Sequence, residues 1–95
     1  MDRAALRGKL HLSGIDDTAA PLARRYGLGY EITAFCMASA LEEGAAFTAA
    51  ERAAAGMDSL WLHAPFAELC PCAIDPLVRE IAARRYRQTI AMARR

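Results

Sequence analysis

The residues best suited to chemistry in this 95-residue sequence are two histidines, His11 and His63, and the polar side chains near them. His63 ends an apolar segment, residues 59–63, and begins the stretch 63–69. An imidazole at the end of a strand can bind a metal ion or polarise a substrate carbonyl. The alternative is a structural histidine that is hydrogen-bonded to a neighbouring loop.

Three more polar side chains accompany the histidines. His11 and Ser13 lie on the polar side of an alternating, strand-like segment. Glu31 lies among apolar residues, where a carboxylate needs a partner or must face a polar cavity. Glu68 follows His63 closely enough to reach the same site. The structural alternatives are a solvated pair for His11 and Ser13, a salt bridge for Glu31 and surface exposure for Glu68.

Two other features suggest chemistry but fit it poorly. Cys70 and Cys72 follow His63, yet structural zinc sites favour Cys-x₂₋₄-Cys pairs and four ligands. The arginines near the end of the chain have aliphatic residues between them at helical spacing, which predicts a solvated helix face rather than a phosphate or nucleic-acid site. These arginines are Arg84, Arg85, Arg87, Arg94 and Arg95.

Alternating strand and helix segments would bring the strand-end residues together. The pattern predicts strands at residues 9–13, from 28 or 30 to 35, and at 59–63. Helices are expected near 21–26, at 48–55 and from 75–76 onward. Their N-cap candidates are Asp16, Asp17, Thr18, Thr48 and Asp75, and their end signals are Gly27 and Gly56. Residues 36–46 are expected to be a loop.

This β-α-β-α-β-α order predicts an α/β fold with a parallel sheet, because the strands must pair through right-handed crossovers. The first turn has no Gly-x-Gly-x-x-Gly, which disfavours a dinucleotide-binding unit. We therefore predict the first three βα units of a (β/α)₈ barrel, in which function gathers at the carboxyl ends of the strands. The apolar face of the last helix is expected to comprise Leu77, Ile81, Ala82, Ile90 and Ala91.

Composition limits the classes of function. Hydrophobic residues make up 55% of the chain, enough for a core, and the net charge of +1 gives no case for nucleic-acid binding. We expect no membrane partner, because no apolar run approaches the roughly 20 residues that span a bilayer. No signal peptide is recognisable, and the 3 cysteines lack the pattern of a disulfide scaffold. A cytoplasmic location is expected.

Several segments resemble the sugar phosphate isomerase/epimerase family of the xylose isomerase-like barrel superfamily, which also contains endonuclease IV. Residues 26–32 with Phe35 resemble the second-strand motif Gly-x-Glu-Ile-x-x-Phe. Residues 63–69, followed by 74–76, 79–82 and 85–86, resemble the third strand, its loop and its helix. The resemblance covers nearly all of residues 9–95 and rests on the order and spacing of these pieces.

The resemblance implies a metal-dependent enzyme acting on a sugar or sugar phosphate. In such isomerases and epimerases a divalent metal (Zn, Mn or Mg) polarises a carbonyl, and glutamates move a proton through an enediolate. His63 matches a third-strand histidine that is a metal ligand in endonuclease IV-like members. His11 and Ser13 resemble the end of the family's first strand, and Glu31 matches a recurrent family glutamate to which the resemblance assigns no role. With Glu68, which lies near His63, we expect these residues to bind substrate, and we expect no residue of this chain to be catalytic.

The strands that carry the family's main carboxylates are missing from this sequence. A full barrel needs about 250 residues, and one histidine cannot hold a catalytic metal alone. We therefore expect residues 1–95 to be an N-terminal fragment that is inactive by itself. The alternatives are a partial-barrel module that self-associates through open sheet edges, and a fragment of an endonuclease IV-like DNA-repair nuclease.

Overall fold

Three short strands form a parallel sheet in the order β1-β2-β3. The computed structural model describes residues 3–7 and 9–94. The strands are β1 (His11–Ser13), β2 (Gly29–Ile32) and β3 (Leu60–Leu62), and the described helices are α1 (Arg3–Leu6), α2 (Ala19–Tyr26), a 3₁₀ segment (Ala38–Glu42), α3 (Gly44–Ala54) and α4 (Pro76–Ala93). The predicted α/β fold with a parallel sheet is confirmed, at the level of three strands.

The register of the sheet places specific residues side by side. His11 pairs with Gly29, Leu12 with Tyr30, and Ser13 with Glu31. On the other side of β2, Tyr30 pairs with Leu60, Glu31 with Trp61, and Ile32 with Leu62. Paired residues of neighbouring strands point to the same side of the sheet. The face shared by Leu12, Tyr30 and Leu60 is therefore mostly apolar, and the face shared by Ser13, Glu31 and Trp61 is mostly polar.

Helices α2 and α3 both cover the apolar face of the sheet. Ala23 of α2 is fully buried and packs in one cluster with Tyr30 of β2, joined by Leu12 and Ile32. Phe35, which is 1% exposed, packs in a second cluster with Ala50 of α3. Small alanine side chains allow the helix backbones to approach the strands closely, at the cost of little buried area per residue. Right-handed crossovers between strands in the order 1-2-3 place both helices on one side.

The C-terminal ends of α2 and α3 are tied together by Arg24. Its guanidinium donates to the carbonyl oxygens of Arg52, Ala53 and Ala55 at distances between 2.6 and 3.1 Å. The last carbonyls of a helix have no partner within the helix, and a cation is favourable at that end of the helix dipole. Gly27 ends α2 in the left-handed conformation, with φ 65°, as the sequence predicts.

The third helix does not begin where its sequence suggests. Thr48 lies inside α3 and donates to the carbonyl of Gly44, which is the first residue of the helix. Glu43 holds the N-cap position with no side-chain cap hydrogen bond. The predicted loop at 36–46 is therefore wrong over much of its length, because it contains the 3₁₀ segment and the first turn of α3. Ala40 and Ala50, before and after this helix start, are both buried.

The fourth helix begins as predicted, with Asp75 accepting a hydrogen bond from the amide of Leu77 and Pro76 in the first turn. Its predicted apolar face is wrong in part. Ala82 is buried, but Leu77, Ile81 and Ile90 are each more than half exposed. The helix packs mainly against the 3₁₀ segment, so most of the predicted face meets no strand of the described chain.

The arginines of α4 follow the prediction more closely. Arg84, Arg87 and Arg94 are exposed, whereas Arg85 is half-buried and donates to the carboxylate of Glu42 over 2.6 Å. Arg95 lies outside the described residues. No helix in the described part of the chain is both long and apolar enough to cross a membrane.

Candidate functional site

The candidate site is the face of the sheet that α2 and α3 do not cover. We define the polar sheet face as His11, Ser13, Glu31, Ser59 and Trp61. Register and contacts place these five side chains on the same side, since His11 reaches both Ser59 and Trp61 while Ser13 bonds Glu31. In a parallel sheet enclosed by helices on both faces, such positions are normally apolar. Their polarity therefore indicates a surface that meets water or a polar ligand.

His11 lies across strand β2 at Gly29. A Cβ atom on Gly29 would lie 2.5 Å from Nε2 of His11 and 2.8 Å from Cε1. Gly29 is therefore required for space, because no larger residue would leave room for the imidazole. The ring reaches β3, where it stacks on Trp61 with centroids 4.0 Å apart and planes 12° from parallel.

Hydrogen bonding fixes the far end of the same ring. Nε2 of His11 lies 2.7 Å from the hydroxyl oxygen of Ser59. Nδ1 is buried and has no hydrogen-bond partner within the described residues. If the proton of the neutral ring is on Nε2, Nδ1 has only an unshared lone pair. If the proton is on Nδ1, the buried N–H group has no acceptor, which is unfavourable. We therefore assign the Nε2 tautomer, in which His11 donates to Ser59.

Ser13 and Glu31 form a second pair on this face. The Ser13 hydroxyl donates to a carboxylate oxygen of Glu31 over 2.8 Å. Within residues 3–7 and 9–94 this carboxylate is paired with a hydroxyl and not with a cation. One carboxylate oxygen and the remaining lone pairs stay available for donors on a ligand.

The backbone around this pair is held by bonds between strand ends. The amide of Gly14 donates to the carbonyl of Glu31 over 2.9 Å, and the hydroxyl of Thr33 donates to the carbonyl of Gly14 over 2.6 Å. These bonds fix the carboxyl ends of β1 and β2 relative to each other. Ser13 and Glu31 are consequently positioned by strands rather than by a mobile loop.

The negative charge of Glu31 affects the pKa of the Cys36 thiol, which lies just after β2. Burial raises the pKa of the Cys36 thiol, and the carboxylate of Glu31 raises it further. A thiol with a raised pKa carries little thiolate near neutral pH and is a poor nucleophile.

His63 lies at the carboxyl end of β3, as the sequence predicts. Its amide donates to the carbonyl of Ile32, and its Nδ1 lies 2.7 Å from the carbonyl oxygen of Ala64. A carbonyl oxygen only accepts, so Nδ1 carries a proton and donates. The neutral ring then has a free lone pair on Nε2, which is the arrangement that a metal-binding histidine adopts. His63 thus has the loop hydrogen bond of the structural alternative, and the same bond leaves Nε2 available, so its ligand role stays a prediction.

Glu68 does not join the polar sheet face. It is exposed in the loop after β3, with a left-handed backbone at φ 63°. The structure records no hydrogen bond from Glu68 to any other described side chain. Surface exposure, the alternative interpretation for this residue, is therefore confirmed.

The residues present do not make a metal site by themselves. In the part of the chain that the structure describes, no group of three or more His, Cys, Asp and Glu side chains is close enough to hold an ion. Cys70 and Cys72 are exposed free thiols. His63 therefore offers one ligand where a catalytic metal needs about three from the protein.

Sequence reasoning missed Trp61, Ser59 and Gly29. The signal for the first two was present, because Ser59, Trp61 and His63 are spaced two apart in the segment predicted as a strand, residues 59–63. Their contact with His11 depends on a register between strands that are far apart in the chain. The role of Gly29 depends on the same register.

Comparisons with protein-family models, with curated proteins and with solved structures found no match to this chain. The family resemblance therefore stays a prediction. The case for function rests on the geometry of the polar sheet face.

Proposed function

We propose that this chain supplies the first three βα units of a metal-dependent sugar phosphate isomerase/epimerase-like barrel. Ser13 and Glu31, toward the carboxyl ends of β1 and β2, then lie on the substrate side of that barrel, while His11 and Ser59 lie at the amino ends of β1 and β3. The observation that carries this proposal is the one-sided covering of the sheet: α2 and α3 pack on the apolar face, while the other face has ordered polar side chains. In a barrel, helices lie outside the strands and ligands bind at their carboxyl ends.

The chemistry of this face suits a polyhydroxylated substrate. Glu31 offers carboxylate oxygens to hydroxyl donors, and the hydroxyls of Ser13 and Thr33 can donate or accept. Both hydroxyls already bond near the carboxyl ends of β1 and β2, so their orientations are limited before any ligand arrives. Glu68 is not included in this proposed binding set because it is exposed elsewhere.

The metal part of the proposal depends on residues outside this chain. A divalent ion such as Zn, Mn or Mg would supply the polarisation of a substrate carbonyl. His63 would be one of its ligands, and the remaining ligands would have to come from elsewhere. We therefore propose that residues 1–95 bind but do not turn over substrate, in a reducing cytoplasm that keeps the three thiols free.

An NMR titration of the 95-residue chain tests this proposal. D-xylose and ribose 5-phosphate should shift the amide signals of Ser13, Glu31 and Thr33, and Mn²⁺ should broaden signals around His63 only at high concentration, because a single protein ligand binds the ion weakly. Glu31→Gln should weaken the sugar effect and His63→Ala should abolish the Mn²⁺ effect. Glu68→Gln, which also removes one carboxylate, is the matched control and should change neither.

Two results would contradict the proposal. Absence of any sugar-induced shift on the polar sheet face would remove its substrate class. Metal-dependent isomerisation by the purified chain alone would show that the site is complete without further strands.

A second candidate function is self-association. Among the described residues β3 is an edge strand, and its Leu60 and Trp61 are 46% and 57% exposed. Leu77 and Ile81 on α4 are also largely exposed. Open parallel edges and apolar surface favour pairing with another chain.

Light scattering over a range of protein concentrations tests this candidate. A discrete oligomer that Ile81→Lys dissociates would support a module that pairs with a second copy. Ile15→Lys is the control, because Ile15 is 82% exposed in the loop after β1. A monomer at all concentrations would contradict self-association.

A further inference from the structure

We infer that Trp61 is the stacking surface for the ring of a cyclic sugar on the polar sheet face, with Glu31 accepting hydrogen bonds from the sugar's hydroxyls. This inference rests on the proposed function and adds a residue that determines specificity. It assigns binding of the cyclic form of the sugar in preference to an open-chain polyol; because that ring has no free carbonyl, it must open before the carbonyl chemistry of the proposed function. Trp61 belongs to none of the sets of residues expected from the sequence.

The exposure of Trp61 is the first observation behind the inference. Trp61 pairs with Glu31 in the sheet, so both side chains point to the same side. The indole is 57% exposed although one of its ring faces is covered by the imidazole of His11. More than half of Trp61 is therefore exposed, and Glu31 is its register neighbour on the same side of the sheet.

The second observation is that the indole is held in place. The imidazole stacks on it at 4.0 Å, and Ser59 holds that imidazole through a 2.7 Å hydrogen bond. Gly29 leaves the space through which the imidazole passes. A rigid aromatic surface loses little conformational entropy when a ligand binds, which favours affinity. His11 is therefore a positioning residue for Trp61.

The chemistry of this pair selects the ligand class. A pyranose ring has apolar C–H faces and a rim of hydroxyls, so it can stack on an indole while a neighbouring carboxylate accepts from the rim. An open-chain polyol has the hydroxyls but no flat apolar face. A strongly anionic ligand would be repelled by Glu31 at this point, so a phosphate group on the substrate must lie away from it.

The fluorescence of Trp61 provides a direct test, because this is the 1 tryptophan of the chain. D-xylose, which is almost entirely cyclic in water, is compared with xylitol, its open-chain counterpart. We expect D-xylose to change the Trp61 emission and to bind at least several-fold more tightly than xylitol. Trp61→Phe should weaken D-xylose binding a few-fold and Trp61→Leu about ten-fold, both measured by NMR titration.

Controls separate this inference from the proposed function. Tyr26→Leu removes an exposed aromatic from α2 and should leave D-xylose binding unchanged. Circular dichroism checks that each variant keeps its fold. If Trp61→Leu does not fold, Trp61→Phe is used for the comparison instead. If Trp61→Leu binds D-xylose normally while Glu31→Gln weakens it, the stacking inference is overturned and the proposed function stands. If the unmodified chain binds neither sugar nor polyol, both are overturned.

Discussion

The two faces of the sheet are built from the same three strands and differ in every other respect. One face is covered by α2 and α3. Its contacts are apolar contacts of alanines, Tyr30 and Phe35, which do not depend on hydrogen bonds. The other face has side chains joined in pairs by single hydrogen bonds and one ring stack. The covered face is held by burial of apolar side chains, while the polar sheet face is only partly buried.

This difference separates stability from recognition. Burial of apolar surface is the main stabilising term in a fold of this size, so the covered face carries most of the free energy of unfolding. The part-buried hydrogen bonds of the polar sheet face contribute about 1 kcal/mol each, so changes on this face cost less than changes in the apolar core. Such a face is suited to binding.

Phe35→Ala should be the most damaging change on the covered side. Phe35 is 1% exposed, and removing it leaves a cavity beside Ala50 and α3. Large-to-small changes of this kind lower the free energy of unfolding by about 3–5 kcal/mol. Urea unfolding followed by circular dichroism measures the loss. Phe66→Ala is the control, because Phe66 is 61% exposed, and equal effects of the two changes would remove the contrast between buried and exposed aromatics.

Ala23→Leu should be the next most damaging change. Ala23 is 0% exposed between α2 and the sheet, so a larger side chain forces the helix away from Tyr30. Overpacking of this kind costs about 1–3 kcal/mol of unfolding free energy. Ala91→Leu makes the same exchange at an exposed position of α4 and should be nearly neutral. If Ala23→Leu lowered the free energy of unfolding as little as Ala91→Leu, measured by urea unfolding, the close packing around Ala23 would be disproved.

Gly29→Ala should affect the polar sheet face more than the fold. The new Cβ occupies the path of the His11 ring, so the imidazole must rotate away from Trp61. We expect a loss of about 1 kcal/mol of unfolding free energy and a clear change in Trp61 emission as the stacking is lost. Gly44→Ala is the matched control, because a Cβ there meets nothing within 4 Å. Unchanged emission in Gly29→Ala would contradict the stacked arrangement.

Glu31→Gln should have the smallest effect on stability and a specific effect on Cys36. The pKa of Cys36 is raised first by burial and then by the charge of Glu31. Removing that charge lowers the pKa, although burial keeps it above the ordinary value. At a fixed pH below the thiol pKa, more thiolate is then present, so alkylation of Cys36 by iodoacetamide should be faster. The measurement uses Cys70→Ser and Cys72→Ser in the background.

The control for this change is Glu68→Gln, which removes a carboxylate that does not raise the pKa of Cys36. Its alkylation rate should equal that of the parent. A rate in Glu31→Gln that is unchanged or slower would show that Glu31 does not act on the thiol. The pH profile of alkylation distinguishes a shifted pKa from a change in access.

Local signals in the sequence identified several elements of the fold correctly. Gly27 ends α2 and Asp75-Pro76 begins α4, because a left-handed C-terminal residue and a capped first turn depend on neighbours in the chain alone. The prediction from local sequence is wrong at Thr48, because its hydroxyl donates within the helix instead of capping it. The apolar face of α4 also failed as a prediction, because a helical pattern does not say whether another element covers it.

The sequence by itself determined the alternation of polar and apolar residues in β1, and therefore that His11 and Ser13 share one side of a strand. Only the tertiary structure decided what those side chains meet. Ser13 bonds a residue 18 positions away and His11 one that is 48 positions away. Such pairs depend on strand register, and a shift of one residue would turn every side chain to the other face. Register is set by the packing of α2 and α3 on the sheet, which no local pattern records.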